Sequence, residues 1–428
     1  MHYVRNFKSF ENAEVDLLRP VTYVVGPNGS GKTNLIEAVE LLSFIASGQP
    51  LHEVSDFGRG GRFEVRGGLQ GCARRPDLSF TLGFRDRMRF FGESEFIHYV
   101  VEVDVGTPPK GWPGIVSEVL EVGQRTLFSA ARAGESGLLK VSYDNFKQGP
   151  NKPGFTIPAI ASVLAAYPML AVKNAQLPSC VTLIKDLSRH LGRSAIFDPN
   201  PKAMRDYDRI GNSVLLRDGT NISAVLFGLA QGTPDEKQRL ARIIDRIREL
   251  PEEPFADLGF ETTKLGDVMV GFRTEKGGPL LDARLLSDGT LRALAVLTAL
   301  ETAEPSARLI VEEFDNGLHP SRIRMLCEAV AETAARRKVF VLVTTHNPVT
   351  LDRLGASELD AVLVCHWDKA RRSARLTPLR ELPRADELLE RGRLGDLVTR
   401  KVIDDYLTPE SDTRQRQQVE AWLESLPK

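Results

Sequence analysis

The stretch Gly26-Pro27-Asn28-Gly29-Ser30-Gly31-Lys32-Thr33 constrains this chain more than any other, because it sets Gly, four residues and then Gly-Lys-Thr between two elements of different periodicity. Val21-Thr22-Tyr23-Val24-Val25 before it is β-branched and aromatic, which predicts a buried strand. After it, Leu35, Ile36, Val39 and Leu42 recur at helical spacing. A strand, a glycine-rich turn and a helix in that order form a phosphate-binding loop. The glycines let backbone amides curl around an anion, and the helix start adds partial positive charge. In this arrangement Lys32 reaches the β- and γ-phosphates of a nucleotide, and the Thr33 hydroxyl binds Mg²⁺.

Composition removes several alternatives. The chain has 428 residues, enough for two or three domains with ample core. Its 42% hydrophobic and 26% charged residues are ordinary for a soluble globular protein. A formal charge of −1 supplies no global field toward nucleic acid, so any such contact would be a local patch. Cys72, Cys180, Cys327 and Cys365 are scattered without metal-ligand or redox spacing, as suits a reducing cytosol. The amino terminus reads as a strand rather than a signal peptide, and no apolar run approaches ~18 residues. The expected location is the cytoplasm, without membrane contact.

Met1 to Leu18 predicts two short strands. Strand-like runs recur at Phe63 to Val65, Leu78 to Phe84, Phe96 to Val105 and Val119 to Val122, with a break at Gly106 to Gly114. Such spacing predicts an antiparallel sheet beside the nucleotide-binding core. Gln70, within this region, reads either as a γ-phosphate sensor or as an ordinary surface residue. The prolines and glycines of Gly149 to Pro158 predict a boundary, followed by a mainly helical segment from Ile160 to about Leu250. Within it, Asp235 to Leu250 places Leu240, Ile243, Ile244 and Ile247 on one stripe. Its Arg239, Arg242, Arg246 and Arg248 read as a solvated face or a DNA contact. Pro251 to Pro254 ends the segment, and strands are expected at Gly259 to Thr263 and Val268 to Thr274.

Three later stretches bear on chemistry. Arg308 to Glu313 reads as an apolar strand ending in two adjacent carboxylates, Glu312 and Glu313; strand alternation would turn one to a metal and the next to an attacking water. Val339 to Thr345 reads as a buried parallel strand that delivers His346 to the ligand side of an open sheet. Ser287-Asp288-Gly289-Thr290 precedes a helix bearing Leu291, Leu294 and Leu297; Ser287 either caps that helix or grips a phosphate at its start.

Taken as an ordered set, these motifs resemble those of ABC-type ATPases of the RecF/SMC group, and within it the OLD-family-like bacterial ATPases. Asn6-Phe7-Lys8-Ser9-Phe10 and Gly26 to Asn34 match the first motifs, and Ser287 to Arg292 resembles the signature. Glu312-Glu313 through Asn316-Gly317-Leu318-His319-Pro320 resembles the Walker B and D-loop, and Thr344 to Pro348 the switch-histidine segment. Asp218-Gly219-Thr220-Asn221 also resembles a recurring segment of these proteins. The resemblance implies an α/β ATPase head: a mixed sheet with a phosphate-loop core, an antiparallel β subdomain and a mainly helical insertion. The expected divisions are 1–148, 149–254, 255–370 and a tail, 371–428.

Carried over by position, the resemblance implies ATP and Mg²⁺ as cofactors. It gives phosphate contacts to Gly26, Asn28, Gly29, Ser30, Gly31, Lys32, Thr33 and Asn34, and metal contacts to Thr33 and Glu312. Many ABC ATPases have Asp where Glu312 stands. Glu313 polarises water, His346 contacts the γ-phosphate or the water, and Ser287 with Gly289 completes the site of a second subunit. OLD nucleases carry a further nuclease domain; here about 80 residues follow His346 without a metal-binding carboxylate set. Arg371, Arg372 and Arg375 in that tail read as a solvated hairpin or an acidic-partner contact.

The implied function is an ATPase that dimerises around ATP and controls a separately encoded nuclease or toxin in phage defence. The alternatives are a RecF-like repair ATPase acting on DNA and a slow ATP-binding scaffold.

Overall fold

The computed structural model describes residues 1–407, apart from 57, 59–62, 108–110, 135–136, 148, 150, 171–176, 213, 251–254, 383 and 400–401. The break expected at 251–254 therefore lies outside the described residues, as do 408–428 of the tail. The fold is mixed α/β. It divides into two compact units interleaved along the chain: one of 1–18, 29–195 and 367–376, the other of 19–28, 196–366 and 377–428.

The chain begins with β1 (His2–Phe7), β2 (Phe10–Val15) and β3 (Val21–Val25), then α1 (Lys32–Ala46). The short β4 (Val54–Ser55) and β5 (Phe63–Glu64) pair in parallel. Six strands follow: β6 (Ser79–Phe90), β7 (Glu93–Asp104), β8 (Gly114–Val122), β9 (Arg125–Arg132), β10 (Leu138–Tyr143) and β11 (Gly154–Pro158). Then come α2 (Val163–Leu170), α3 (Leu177–Gly192), β12 (Ser194–Phe197) and β13 (Asp208–Arg209). Next are α4 (Ile222–Gln231), α5 (Pro234–Arg248), β14 (Asp257–Thr262), β15 (Asp267–Arg273), β16 (Leu281–Asp282) and α6 (Asp288–Thr302). The chain continues through β17 (Arg308–Val311), α7 (Pro320–Arg337), β18 (Phe340–Thr345), α8 (Pro348–Leu351) and α9 (Ala356–Leu359). It ends with β19 (Val362–Asp368), β20 (Ser373–Pro378), α10 (Ala385–Glu390) and α11 (Leu394–Thr399).

In the first unit nine strands run in the order β11-β10-β9-β8-β7-β6-β1-β2-β20. The pairings are antiparallel from β11 to β2, while β20 joins β2 in parallel. The expected antiparallel sheet is present and larger than the sequence suggests. β6 runs six residues beyond Phe84 because its register with β7 holds to Phe90↔Glu93, where Phe91 and Gly92 turn at φ 50 and 87. The proline-rich stretch expected to mark a boundary contains an edge strand instead: β11 pairs with β10 from Leu138↔Pro158 to Ser142↔Gly154. A proline is tolerated there because one side of an edge strand donates no ladder bond. Beneath β8, the fully buried Glu118 accepts from Tyr99 Oη at 2.9 Å, Ser162 Oγ at 2.7 Å and the Val163 amide at 2.8 Å, which caps the start of α2.

In the second unit five strands run in the order β19-β3-β18-β17-β12. β3, β17, β18 and β19 are mutually parallel, and every residue of β3 and β17 is buried. A separate small sheet, β13-β15-β14 with β16, occupies the same unit. The helix expected near Asp235 is α5, fixed at its start by a reciprocal capping box between Thr233 and Glu236. The helices expected as one insertion are divided: α2 and α3 belong to the first unit, α4 and α5 to the second.

Candidate functional site

β3 delivers the glycine-rich loop. Gly29 adopts φ 79 with open space where a Cβ would stand, so its backbone can approach a ligand. Gly31 adopts φ 116 and opens α1 without a side-chain cap; Lys32 and Thr33 form the first turn, with Lys32 buried. The first amides of a helix point outward as anion donors.

Around α1 the first unit holds a polar network that the motif alone does not announce. Asn34 Nδ2 donates to Ser9 Oγ at 2.7 Å and Arg66 Nη2 to Asn34 Oδ1 at 2.9 Å. One turn further along, the 3% exposed Glu37 accepts from Lys8 Nζ at 2.6 Å and Arg66 Nε at 2.9 Å. Burial pushes the Glu37 carboxyl up, but the bonds and charges of Arg66 and Lys8 outweigh it and hold the group below its usual range. Their signal in sequence is only that Lys8 and Ser9 sit in the Asn6–Phe10 motif. Gln70 is exposed on a 3₁₀ turn, Leu69–Gly71.

In the second unit, Val25 of β3 lies beside Thr345 of β18, and Val311 of β17 beside Val343, so Gly26, Glu312 and His346 leave the same carboxyl edge. The strand expected to include both glutamates stops at Val311, and 312–317 form a turn. Turn geometry rather than strand alternation therefore places Glu313: it adopts φ 43, and its amide donates to Thr344 Oγ1 at 3.1 Å. Glu313 Oε1 lies 3.6 Å from His346 Nδ1, with both side chains partly exposed. The carboxylate and imidazole expected to act together are therefore adjacent.

Asp315, which no sequence motif singles out, is 2% exposed and accepts from Thr345 Oγ1 at 2.5 Å and from Thr350 Oγ1. Burial pushes its carboxyl above the usual range, with the threonine bonds pulling partly back.

Ser287 is the N-cap of α6: its Oγ accepts from the Thr290 amide at 3.2 Å. Arg322 of α7 holds the same turn, donating to Ser287 Oγ at 3.1 Å and Thr290 Oγ1 at 3.0 Å. Arg205 closes it from another side, reaching Leu286 O at 2.9 Å and Asp288 Oδ1 at 2.6 Å. At Gly289 a Cβ would meet Leu318 Cδ2 at 3.1 Å, so glycine permits the close packing there.

The remaining candidates have local partners. Asn221 is buried and braces its own turn, accepting from the Leu216 amide at 2.8 Å and donating to Val214 O at 2.7 Å. Arg239, Arg246 and Arg248 on α5 pair with Asp235, Glu249 and Asp245, while Arg242 and Arg336 hold the buried Glu301. Arg371 and Arg375 face Asp368, and Arg74 donates to the Arg372 carbonyl at 2.9 Å.

Among the described residues no group of three or more His, Cys, Asp or Glu side chains could hold a metal, and no helix is long and apolar enough to cross a membrane. Mg²⁺ does not require such a group: it keeps several waters and takes one or two protein oxygens beside substrate phosphates. The Thr33 hydroxyl and Glu312 carboxylate are hard oxygen donors of that kind.

Sequence comparison adds family information. Residues 193–352 match a family described as "AAA domain, putative AbiEii toxin, Type IV TA system", and residues 3–61 match an AAA domain family. Segments of the chain are thus similar to AAA-domain families and to RecF and Smc proteins. The DNA replication and repair protein RecF of Acaryochloris marina is 37% identical over 102 residues, covering 23% of this chain and 26% of RecF. RecF of Bacteroides thetaiotaomicron is 31% identical over 110 residues, covering 23% and 30%. The chromosome partition protein Smc of Methanocaldococcus jannaschii is 47% identical over 36 residues, 8% of this chain and 3% of Smc. The chain thus matches less than a third of these relatives' lengths. Among solved structures, an SmcHead bound to the C-winged helix domain of ScpA aligns with TM-score 0.49 and 11% identity over 88% of this chain and 96% of that one. The SMC head domain from Thermotoga maritima aligns with TM-score 0.39 and 14% identity, over 88% and 97%.

Proposed function

We propose that the chain hydrolyses ATP, dimerises around it and uses the cycle to control a separately encoded effector, a nuclease or toxin, in phage defence. The observation that carries the hydrolytic part is the Glu313–His346 pair at 3.6 Å, on the strand edge where β3 gives way to the phosphate loop. In this reading the amides of Gly29 to Thr33 and the Lys32 ammonium hold the phosphates. Glu313 accepts a hydrogen bond from the attacking water and orients it in line, and His346 donates toward the γ-phosphate oxygens as charge shifts. Thr33 and Glu312 would hold Mg²⁺, which supplies charge neutralisation to the phosphates. Ser287 and Gly289 present the start of α6 to the nucleotide of a second copy. The effector role is supported by the AbiEii-toxin description of the family matched at 193–352.

A second reading, a repair ATPase that engages DNA directly, is supported by the RecF matches. The effector reading requires ATP turnover that does not depend on DNA, whereas the repair reading requires DNA to change it.

The test of hydrolysis is a pair of variants. Glu313→Gln should bind ATP with wild-type affinity and lose turnover by about a hundredfold or more, because an amide is a poor proton acceptor. Lys32→Ala should lose the binding itself. Wild-type turnover in Glu313→Gln would remove Glu313 from the chemistry.

A further inference from the structure

Thr344 and Thr345 close β18 and, as successive strand residues, turn to opposite sides. Each grips the turn that follows β17. Thr344 Oγ1 takes the Glu313 amide at 3.1 Å, and Thr345 Oγ1 donates to Asp315 Oδ2 at 2.5 Å. The Thr345 hydroxyl is used twice, since it also accepts from the Asn347 amide at 2.9 Å. The hydroxyl hydrogen points at Asp315 while its oxygen holds the Asn347 amide, so one side chain ties the backbone just past His346 to the turn after β17. Thr350 Oγ1 donates to the same Asp315 oxygen and closes the grip from α8. Burying a carboxylate at 2% exposure is costly unless its oxygens are bonded, so the two hydroxyls and the carboxylate hold one another in place.

We propose that Asp315, gripped by Thr345 and Thr350, is the positioning device that sets His346 against Glu313. The inference rests on the hydrolytic reading for its consequence, though its geometry is independent of it. None of the three touches the reacting atoms; they act through the backbone at 345–347 and at 313–315. A staple without bearing on the site would change stability alone. A positioning device changes the catalytic step while leaving nucleotide affinity intact, because it sets an angle and a distance rather than a phosphate contact.

The experiment uses the full chain with Thr345→Val, Thr345→Ser and Thr350→Val. Valine at 345 removes the donor to Asp315 and the acceptor for the Asn347 amide; serine keeps both. The expected result for Thr345→Val is a fall in kcat of about ten- to a hundredfold with ATP affinity within about twofold, and Thr345→Ser near wild type. Hydrogen exchange at the His346 and Asn347 amides, read without turnover, should rise in Thr345→Val and recover in Thr345→Ser. Unchanged kcat and exchange in Thr345→Val would overturn the proposal, as would a loss that serine fails to repair. If Thr345→Val does not fold, Thr350→Val must by itself raise exchange at 346–347; unchanged protection there is equally fatal. If the wild-type chain shows no ATP turnover, the hydrolytic reading falls and the exchange measurements decide the positioning claim alone.

Discussion

Ser9 stands directly over Gly31: a Cβ built on Gly31 would come within 2.9 Å of the Ser9 Oγ, with Ala374 Cβ at 3.0 Å and a Phe10 ring carbon at 3.2 Å. The glycine is therefore required twice, once for its φ of 116 and once for the room it leaves. Gly29 differs, since its φ of 79 is equally unusual but nothing lies within 4 Å of its Cβ position.

The expected ranking follows. Gly31→Ala should destabilise the chain by about 1–3 kcal/mol, and Gly29→Ala by less, because only the first adds overlap to backbone strain. Thermal unfolding of the two variants side by side checks this. Equal midpoints would mean that Ser9 and Phe10 shift freely and that Gly31 answers only to its backbone angle.

Acid sensitivity should centre on Asp144, which is buried and accepts from Arg125 Nη1 at 2.5 Å, Lys152 Nζ at 2.8 Å and the Phe146 amide at 3.0 Å. Burial pushes its carboxyl up, but the Lys152 and Arg125 bonds outweigh that and hold it down at about 2, against an ordinary 3.8. A depressed value means the unfolded chain takes up the proton first. The contribution is therefore complete above the ordinary value of 3.8 and is lost as pH falls toward about 2. Urea midpoints of wild type and Asp144→Asn should converge across that window. A gap that stays constant from pH 5 to the acid end would contradict the assignment.

The fold was legible where one period dominates a segment. Val21–Val25 and the apolar positions of α1 announce strand and helix because each is buried on every side or along one full stripe. β9 and β11 were not legible: one carries Ser129, Ala130 and Ala131, the other is five residues with glycine and proline at its ends, and only pairing with neighbours makes them strands. In the site, Glu313 and His346 could be named from the order of motifs. The Thr345–Asp315 bond could not, because it joins positions 30 residues apart through the register of β17 on β18, which no local pattern encodes.

Subunit sharing of the proposed site can be tested by mixing. Ser287→Arg removes the α6 cap, worth about 1 kcal/mol, and sets a second guanidinium beside Arg322, yet it leaves the phosphate loop untouched. It should retain ATP binding and lose turnover. Mixed with Lys32→Ala, it should regain activity, because one of the two sites in a heterodimer is then whole. Heterodimers that demonstrably form and stay inactive would leave strict coupling of the sites or a wrong assembly. The mass of the ATP-bound Glu313→Gln protein separates these, a persistent monomer ruling out the dimer.

On the proposed reading the nuclease is a separate protein, so the purified chain should not cut DNA with Mg²⁺ and ATP present; among the described residues no group of three or more His, Cys, Asp or Glu could hold a metal. Cleavage that follows the protein through successive purification steps and survives Lys32→Ala would reveal a nuclease centre elsewhere in the sequence.

β20 completes the sheet edge beside β2 by pairing Ala374 with Phe10, by the Ala374 amide to the Ser9 carbonyl at 2.8 Å, and by Ser373 Oγ accepting from the Glu11 amide at 3.0 Å. These partners are separated by more than 360 residues of chain. During synthesis, Ser9 and Glu11 are made long before Ser373 and Ala374, which follow Glu312, Glu313 and His346 along the chain. The strand beside Gly31 thus gains its neighbour last. A chain stopped anywhere before residue 373 leaves the β2 edge without the strand that pairs with it here, and an unpaired edge is a template for association with other chains.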